Sequence, residues 1–300
     1  MKQRFLKGIT FFFISSAIFV SCDNSKSDLD LDLEESKDTT VITTDDTPQI
    51  SYAVPTPNEL FEIVKLLGGE LNIELVNSLD NKNKYVDLKS KALNFGVYSA
   101  DIGYMSCFEN GIAFLKYTKV LENLGNELGI SDVFDKTLMD RIESNEENFD
   151  SLFHISNETY YDSYLYLEEN KKGQELSLII IGGYVESVFI ISNLVEEYSN
   201  TNPIIEKIGD QHLVLDNIID FCSQYADESA VAEALSDIMK LQSIFEDNMD
   251  FVESNPEGEN GPEIDGVATF ASKGSFTMNE NTFNLVKEEV INLRNKITQK

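Results

Sequence analysis

Indole, imidazole and thiol groups are scarce in this chain, whose 300 residues include no tryptophan, two histidines and three cysteines. That scarcity leaves little material for a Cys/His metal site or a triad centred on histidine. Cations are also few, with 23 Lys and Arg against 53 Asp and Glu and a formal charge of −30. Because phosphate binding needs clustered cations, we expect no nucleic-acid partner.

The rare reactive residues stand apart from one another. His154 and His212 form no H-x-x-x-H spacing, and the chain has no Gly-x-Ser-x-Gly elbow and no phosphate-binding glycine loop. Cys107 and Cys222 each lie in an apolar helical pattern, which favours buried free thiols; a disulfide between them is the alternative in an exported protein. We therefore expect a protein without a cofactor, a metal site or a catalytic constellation.

The first 21 residues are typical of a secretory signal peptide. Three cations precede a short apolar run, which is too short to span a bilayer comfortably. The sequence Phe19-Val20-Ser21-Cys22 resembles the bacterial lipobox, and that resemblance implies cleavage before Cys22 and acylation of this residue. The alternative is an ordinary secretory peptide with a chance cysteine. Acyl chains on Cys22 would be the only membrane anchor of the chain.

Residues 22–54 are dominated by aspartate and glutamate, with few apolar side chains. Like charges repel and little apolar surface is available for burial, so we expect a disordered acidic tether. An acidic stretch behind a lipidated cysteine resembles the export tag of surface lipoproteins of Bacteroidota. A solvated spacer is the alternative.

Residues 55–252 show apolar positions at three- and four-residue spacings almost throughout. The pattern predicts an all-α bundle of seven or eight helices joined by short turns. A capping box at Thr56-Pro57-Asn58-Glu59 starts the first helix, and Gly129 and Ser131 mark a stop and a restart. The predicted helical ranges are 57–79, 88–124 with a possible break near 109–111, 132–142, 146–169, 173–198, 203–225 and 229–249.

The C-terminal region, 253–300, has a different pattern. Residues 253–262 have the composition of a loop, and residues 264–278 suggest a strand or an extended segment. A second capping box at Thr277-Met278-Asn279-Glu280 predicts a final helix. The sequence leaves open whether that helix docks on the bundle.

Two predicted helices carry unusually small residues. Ala92, Gly96, Ala100 and Gly103 recur at four- and three-residue steps on one helix, and Gly182-Gly183 lies within another. Because glycine costs close to 1 kcal/mol in a helix interior, adjacent glycines indicate a close approach by another backbone. We expect these two helices to cross each other.

Two carboxylates lie among the apolar residues of the same helices, Asp101 on the first and Glu186 on the second. A buried carboxylate must be paired or hydrogen-bonded. One interpretation is a recognition site for a cationic or hydroxylated ligand, formed by Asn94, Tyr98, Asp101, Tyr104, Tyr184 and Glu186. The other, which we favour, is that these polar residues pin the helices together.

Residues 91–101, 141–152 and 182–186, the last reading Gly-Gly-Tyr-Val-Glu, resemble a group of uncharacterised helical lipoproteins of Bacteroidota. Members of that group often have tryptophan at the position of Tyr184. The resemblance covers roughly residues 55–249. It implies an all-helical, exported, lipid-anchored protein and no particular activity.

Three classes of function remain. The first, which we favour, is a non-catalytic binding or interaction module on the cell envelope, anchored to the outer membrane on its periplasmic or surface face, with a protein partner or a small ligand. The second is an accessory lipoprotein that captures a glycan or peptide for an outer-membrane uptake system. The third is an enzyme that uses Asp101 and Glu186 as acid and base, which would require both groups to face one cleft.

Overall fold

The computed structural model of the protein describes residues 56–108, 111–253 and 274–298. The predicted signal peptide, Cys22 and the acidic tether lie outside these residues. The described chain is an all-α bundle, as predicted, and eight α-helices precede two short paired strands and a final helix. The helices are Pro57–Leu66 (α1), Leu88–Cys107 (α2), Gly111–Leu128 (α3), Lys136–Ser144 (α4), Phe149–Glu169 (α5), Gly173–Leu194 (α6), Pro203–Ser223 (α7), Ser229–Asn248 (α8) and Glu280–Thr298 (α9).

Helices α2 and α6 form the centre of the bundle and are buried on nearly all sides. They cross at their glycines, as the small-residue pattern predicts. A Cβ added to Gly96 would collide with the carbonyl oxygen of Ile179, and one added to Gly182 would collide with that of Leu93. Backbone therefore meets backbone at the crossing, and the remaining helices pack around this pair.

Helix α6 is the one helix among the described residues that is long and apolar enough to cross a membrane. In its most apolar 18-residue window, 89% of the residues are buried inside the protein. Such burial is expected for the central helix of a bundle, whose neighbours cover every face.

Several predicted helix boundaries are wrong. The first helix ends at Leu66 rather than near residue 79, because Gly68 adopts a positive φ of 91° that ends the helix. Gly129 also has positive φ, as predicted, but Ser131 begins a short 3-10 turn. Asp135 caps α4 instead, and its side chain accepts a hydrogen bond from the Leu138 amide at 2.8 Å.

The C-terminal region docks on the bundle. Strands Asp250–Glu253 (β1) and Gly274–Thr277 (β2) pair antiparallel, and α9 then packs against α6, α8 and α2. The apolar stripe of α9 is buried as its spacing predicts. Its cap differs from the predicted capping box, because Asn279, and not Thr277, accepts the hydrogen bond from the Thr282 amide at 2.9 Å. Most of the predicted loop at 253–262 lies outside the described residues.

Cys107 and Cys222 are free and buried, which agrees with the favoured interpretation of these residues. Each thiol lies near a backbone carbonyl, that of Asn58 for Cys107 and that of Ser177 for Cys222. Burial raises the pKa of both thiols to about 12. Both thiols therefore stay protonated and behave as small core side chains.

Candidate functional site

The α2–α6 crossing brings Asp101 and Glu186 together inside the core, where both side chains are fully buried. Glu186 is paired with Arg294 of α9. The Arg294 Nε lies 3.2 Å from Glu186 Oε2, and its Nη2 lies 3.4 Å from Oε1. The same Nη2 donates to the carbonyl oxygen of Leu75 at 3.2 Å, and the guanidinium lies 4.6 Å from the centre of the Phe189 ring. The arginine therefore joins α9, α6 and the α1–α2 connection.

Asp101 is held differently. Its Oδ2 accepts a hydrogen bond from the backbone amide of Asn77 at 3.1 Å. Its Oδ1 is buried and has no hydrogen-bond partner among the described residues, and the negative charge of Glu186 acts on this side chain. Two carboxylates form a hydrogen bond only if one of them carries a proton. A proton on Asp101 thus satisfies both groups.

The electrostatics assign this proton to Asp101. Burial, and then the negative charge of Glu186, raise the pKa of Asp101 well above its ordinary value. Burial also raises the pKa of Glu186, but the positive charge and hydrogen bonds of Arg294 oppose that rise. The resulting cluster is a neutral carboxylic acid, a carboxylate and a guanidinium, with no net charge in the core.

Two of the tyrosines predicted to form a ligand site instead form hydrogen bonds with the backbone of a loop. The Tyr98 hydroxyl donates to the carbonyl oxygen of Ser78 at 2.9 Å. The Tyr104 hydroxyl donates to the carbonyl oxygen of Glu70 at 3.0 Å and accepts from the amide of Asn72 at 2.7 Å. Both rings are fully buried, so these hydroxyls fix the α1–α2 connection to α2.

Asn94 and Tyr184 lie away from the carboxylates. The Asn94 amide donates to the carbonyl oxygens of Ser90 and Ile297, at 2.8 and 2.9 Å, and so binds the last turn of α9. The Tyr184 hydroxyl donates to the carbonyl oxygen of Gln211 on α7 at 3.1 Å. The six predicted residues therefore serve several separate contacts, and only Asp101 and Glu186 meet directly.

Sequence reasoning missed Arg294 and the amide of Asn77, which hold the two carboxylates. Arg294 left a signal, since it lies four residues after Val290 and three before Ile297, on the buried stripe of α9. A single cation on an apolar helix face indicates a buried anionic partner. The Asn77 amide left no comparable signal in the sequence, because Asn77 belongs to an irregular connection.

Tyr184 also lines a groove between the N-terminal end of α1 and helices α5, α6 and α7. The groove encloses about 780 Å³, part of it open to solvent. Leu60 and Val214 line it with apolar surface. The hydroxyl oxygen of Thr56, a residue that also lines the groove, is shielded from solvent and has no hydrogen-bond partner among the described residues. Thr56 is the N-cap residue of α1, as predicted, but its side chain forms no capping hydrogen bond. The groove is thus a partly open, mainly apolar surface.

Among the described residues, His, Cys, Asp and Glu side chains form no group of three that could hold a metal ion. Comparison of the chain with protein-family models, curated proteins and solved structures finds no match.

Proposed function

We propose that this protein is a lipid-anchored protein of the bacterial cell envelope, whose helical domain is a non-catalytic binding module. The motif ending at Cys22 and the acidic stretch behind it support the anchor and an outer-membrane location. The binding role rests on one observation: the acidic pair is enclosed in the core, whereas the groove beside Tyr184 is partly open to solvent and has an apolar lining.

The enclosure of the acidic pair argues against acid–base catalysis by Asp101 and Glu186. A general acid or base must come within hydrogen-bonding distance of a substrate atom. Both side chains are 0% exposed, and the hydrogen bonds of Glu186 are used by Arg294. These groups stabilise the crossing of α2, α6 and α9.

Mass spectrometry of the processed protein, purified from membranes of a bacterial host that makes lipoproteins, tests the anchor. We expect an N-terminal peptide that begins at Cys22 and carries acyl chains, and we expect Cys22→Ser to abolish both the acylation and the membrane association. A free thiol on Cys22 in the processed protein would contradict the anchor.

A thermal-shift screen of the processed protein against peptides, glycans, amines and divalent cations tests the binding role. A ligand that binds only the native state raises the unfolding midpoint as its concentration exceeds Kd. We expect at least one class to raise the midpoint of the wild type but not that of Val214→Trp, which fills the groove. Asp101→Asn is the control and should keep the response. A flat screen, or a response lost only in Asp101→Asn, would overturn this role.

A further inference from the structure

A row of four aromatic rings runs from α5 to the C-terminal end of α7, outside the groove beside Tyr184. On α5, the rings of Tyr161 and Tyr164 are parallel within 4°, and their centroids are 6.5 Å apart. The Tyr164 ring lies 6.4 Å from that of Phe221 on α7, and the Phe221 ring lies 5.6 Å from that of Tyr225. None of these four side chains lines the groove, so the row is a distinct surface.

The row is exposed at its α5 end and packed at its α7 end. Tyr161 is 55% exposed, and Tyr164 is half-buried. At the other end, a Cβ added to Gly173 would collide with the Tyr225 ring, so this glycine leaves the space in which that ring packs. The exposed pair of rings on α5 therefore adjoins aromatic side chains that are fixed in the protein.

A carboxylate without a partner lies beside the two exposed rings. Glu168 follows Tyr164 by four residues and Tyr161 by seven, so the three side chains share one face of α5. Burial raises the pKa of Tyr164, and the nearby negative charge of Glu168 raises it further. Glu168 is exposed, and its carboxylate forms no hydrogen bond or ion pair with the described residues.

The charge at this surface favours a cationic ligand. Lys171 is the nearest cation to Glu168 along the chain, yet the two side chains form no ion pair. Asp162 is also exposed on α5, and the whole chain carries a formal charge of −30. This field repels anions, whereas the negative faces of exposed tyrosine rings attract cations.

Among cations, a guanidinium group matches all of these features at once. It is planar and weakly hydrated, stacks on an aromatic face, and donates two parallel hydrogen bonds to a carboxylate. An ammonium group is a strongly hydrated point charge that cannot stack. The core of the protein already holds one guanidinium in this way, since that of Arg294 lies 4.6 Å from the centre of the Phe189 ring and is paired with Glu186.

We propose that Tyr161, Tyr164 and Glu168 bind an arginine side chain of a peptide or protein partner, with its guanidinium stacked on the tyrosine rings and paired with the carboxylate. Centroids 6.5 Å apart allow one guanidinium to lie within about 6 Å of both, which is the range of a cation–π contact. An exposed cation–π contact and an exposed ion pair are each weak, so a single arginine should bind with a Kd on the order of 1 mM. Tyrosine and arginine are both enriched in protein interfaces, which fits an interaction module.

NMR titration of the processed protein, with carbon-13 in its tyrosine rings, tests this site with acetyl-arginine-amide as the probe. We expect saturable shifts of the Tyr161 and Tyr164 resonances, which are assigned through Tyr161→Leu and Tyr164→Leu. Acetyl-citrulline-amide has nearly the same shape but no charge, and it should bind about tenfold more weakly because it loses both the cation–π contact and the ion pair. Tyr161→Leu and Glu168→Gln should each weaken binding of the arginine derivative about two- to fivefold.

Tyr166→Leu and Glu169→Gln are the matched controls, because they change the same residue types on the same helix but line a different cleft. Neither control should change the Kd. Tyr161 and Glu168 are exposed and form no side-chain hydrogen bond within the described part of the chain, so their variants should fold.

Several outcomes would overturn the arginine site. One is the absence of shifts with acetyl-arginine-amide, and another is equal binding of the arginine and citrulline derivatives. A Kd that neither Tyr161→Leu nor Glu168→Gln changes would also exclude it. Tighter binding of maltotriose than of the arginine derivative, weakened by Tyr161→Leu but not by Glu168→Gln, would indicate a sugar platform instead. Tighter binding of free arginine than of the blocked derivative would overturn a peptide-borne arginine as the source.

Val214→Trp separates this site from the groove beside Tyr184. The response to acetyl-arginine-amide should be the same in Val214→Trp as in the wild type. A response that is lost in Val214→Trp but kept in Tyr161→Leu would assign the cation to the groove. That result would overturn the arginine site and leave the proposed binding role of the groove standing.

Discussion

A carboxyl group without water around it must receive hydrogen bonds, pair with a cation or keep its proton. Glu186 pairs with the Arg294 guanidinium, whereas Asp101 receives one backbone hydrogen bond and faces Glu186. A single proton on Asp101 therefore leaves neither carboxyl group without a partner. Neutrality of the whole cluster explains how three ionisable groups share one core.

Replacement of Asp101 by asparagine tests this protonation through stability. Asparagine keeps the shape and donor capacity of the protonated acid but cannot ionise. In the wild type the unfolded aspartate ionises near its ordinary pKa of 3.8, while burial and Glu186 hold the folded pKa well above that value. The protonated Asp101 therefore makes its full contribution to the free energy of unfolding below the ordinary pKa. This contribution is lost as the pH rises towards the pKa of Asp101 in the folded protein.

Between the ordinary pKa and the folded pKa, the free energy of unfolding of Asp101→Asn should rise relative to that of the wild type. The rise should be about 1.4 kcal/mol for each pH unit. Urea unfolding at several pH values from about 4 to about 8 measures the difference. Asp227→Asn, at an exposed position, is the control and should track the wild type. A difference between Asp101→Asn and the wild type that stays constant with pH would contradict a retained proton.

The glycines at the helix crossing give a second residue-level prediction. Gly96→Ala forces a Cβ into the Ile179 carbonyl and should lower the free energy of unfolding by about 3 kcal/mol. Gly209→Ala is the control, because its Cβ would meet only the flexible end of Met249 at 3.4 Å. That variant should be neutral or more stable by up to about 1 kcal/mol, since alanine is the better helix former. Similar losses in both variants, measured by urea unfolding, would refute the close crossing.

The glycine pattern shows what single residues in a sequence can reveal. Gly96 and Gly182 were interpretable from sequence because glycine inside a helix has a cost that only a close contact explains. The buried state of Asp101 and Glu186 was also predictable from their apolar helical neighbours. The lack of a hydrogen-bond partner for the Thr56 hydroxyl could not be predicted, because the capping-box pattern predicts that this side chain caps the start of the helix.

At the scale of elements, α9 completes the polar core of the bundle. It supplies Arg294, and its last turn receives hydrogen bonds from Asn94 and from the Tyr85 hydroxyl, which donates to the Thr298 carbonyl at 3.3 Å. A helix that follows strand β2 thus closes a site made by α2 and α6. The carboxylate pair depends on this helix for Arg294, which pairs with Glu186.

A double-mutant cycle on Glu186 and Arg294 measures that dependence. Arg294→Met leaves Glu186 buried without its cation and should cost about 3 kcal/mol of unfolding free energy. The double variant Glu186→Gln and Arg294→Met should lose less than the sum of the single losses, because no unpaired charge remains. Arg141→Met, which breaks an exposed ion pair with Glu158, should change stability by less than about 0.5 kcal/mol. Additive losses at Glu186 and Arg294 would contradict a coupled pair.

Element types were predictable from sequence, whereas several element ends were not. Periodic apolar spacing predicts helices reliably, and Asn202 caps α7 through the Ile204 amide at 3.0 Å as expected. The end of α1 was missed because leucines and isoleucine continue beyond Gly68 into an irregular connection. Docking of α9 could not be inferred, since it depends on contacts with α6 and α8 that lie far away along the chain.

At the scale of the whole molecule, the formal charge of −30 is the dominant property. Self-repulsion of a highly charged chain opposes the compact state, and salt screens it. The thermal midpoint should therefore rise as sodium chloride increases from about 0.01 M to about 0.15 M, where the Debye length falls from about 30 to about 8 Å. Choline chloride should produce the same rise. A rise with sodium but not with choline would indicate specific cation binding rather than screening.

Carbon-13 NMR of the processed protein, with labelled aspartate and glutamate side chains assigned through Asp101→Asn and Glu186→Gln, observes the proton itself. We predict that the Asp101 carboxyl resonance keeps its protonated chemical shift as the pH rises through the ordinary aspartate range near 3.8. The Glu186 resonance should keep the shift of a carboxylate bound to a guanidinium at neutral pH. An Asp101 resonance that titrates within the ordinary range would contradict the closed, proton-sharing pair on which the structural role of these residues rests.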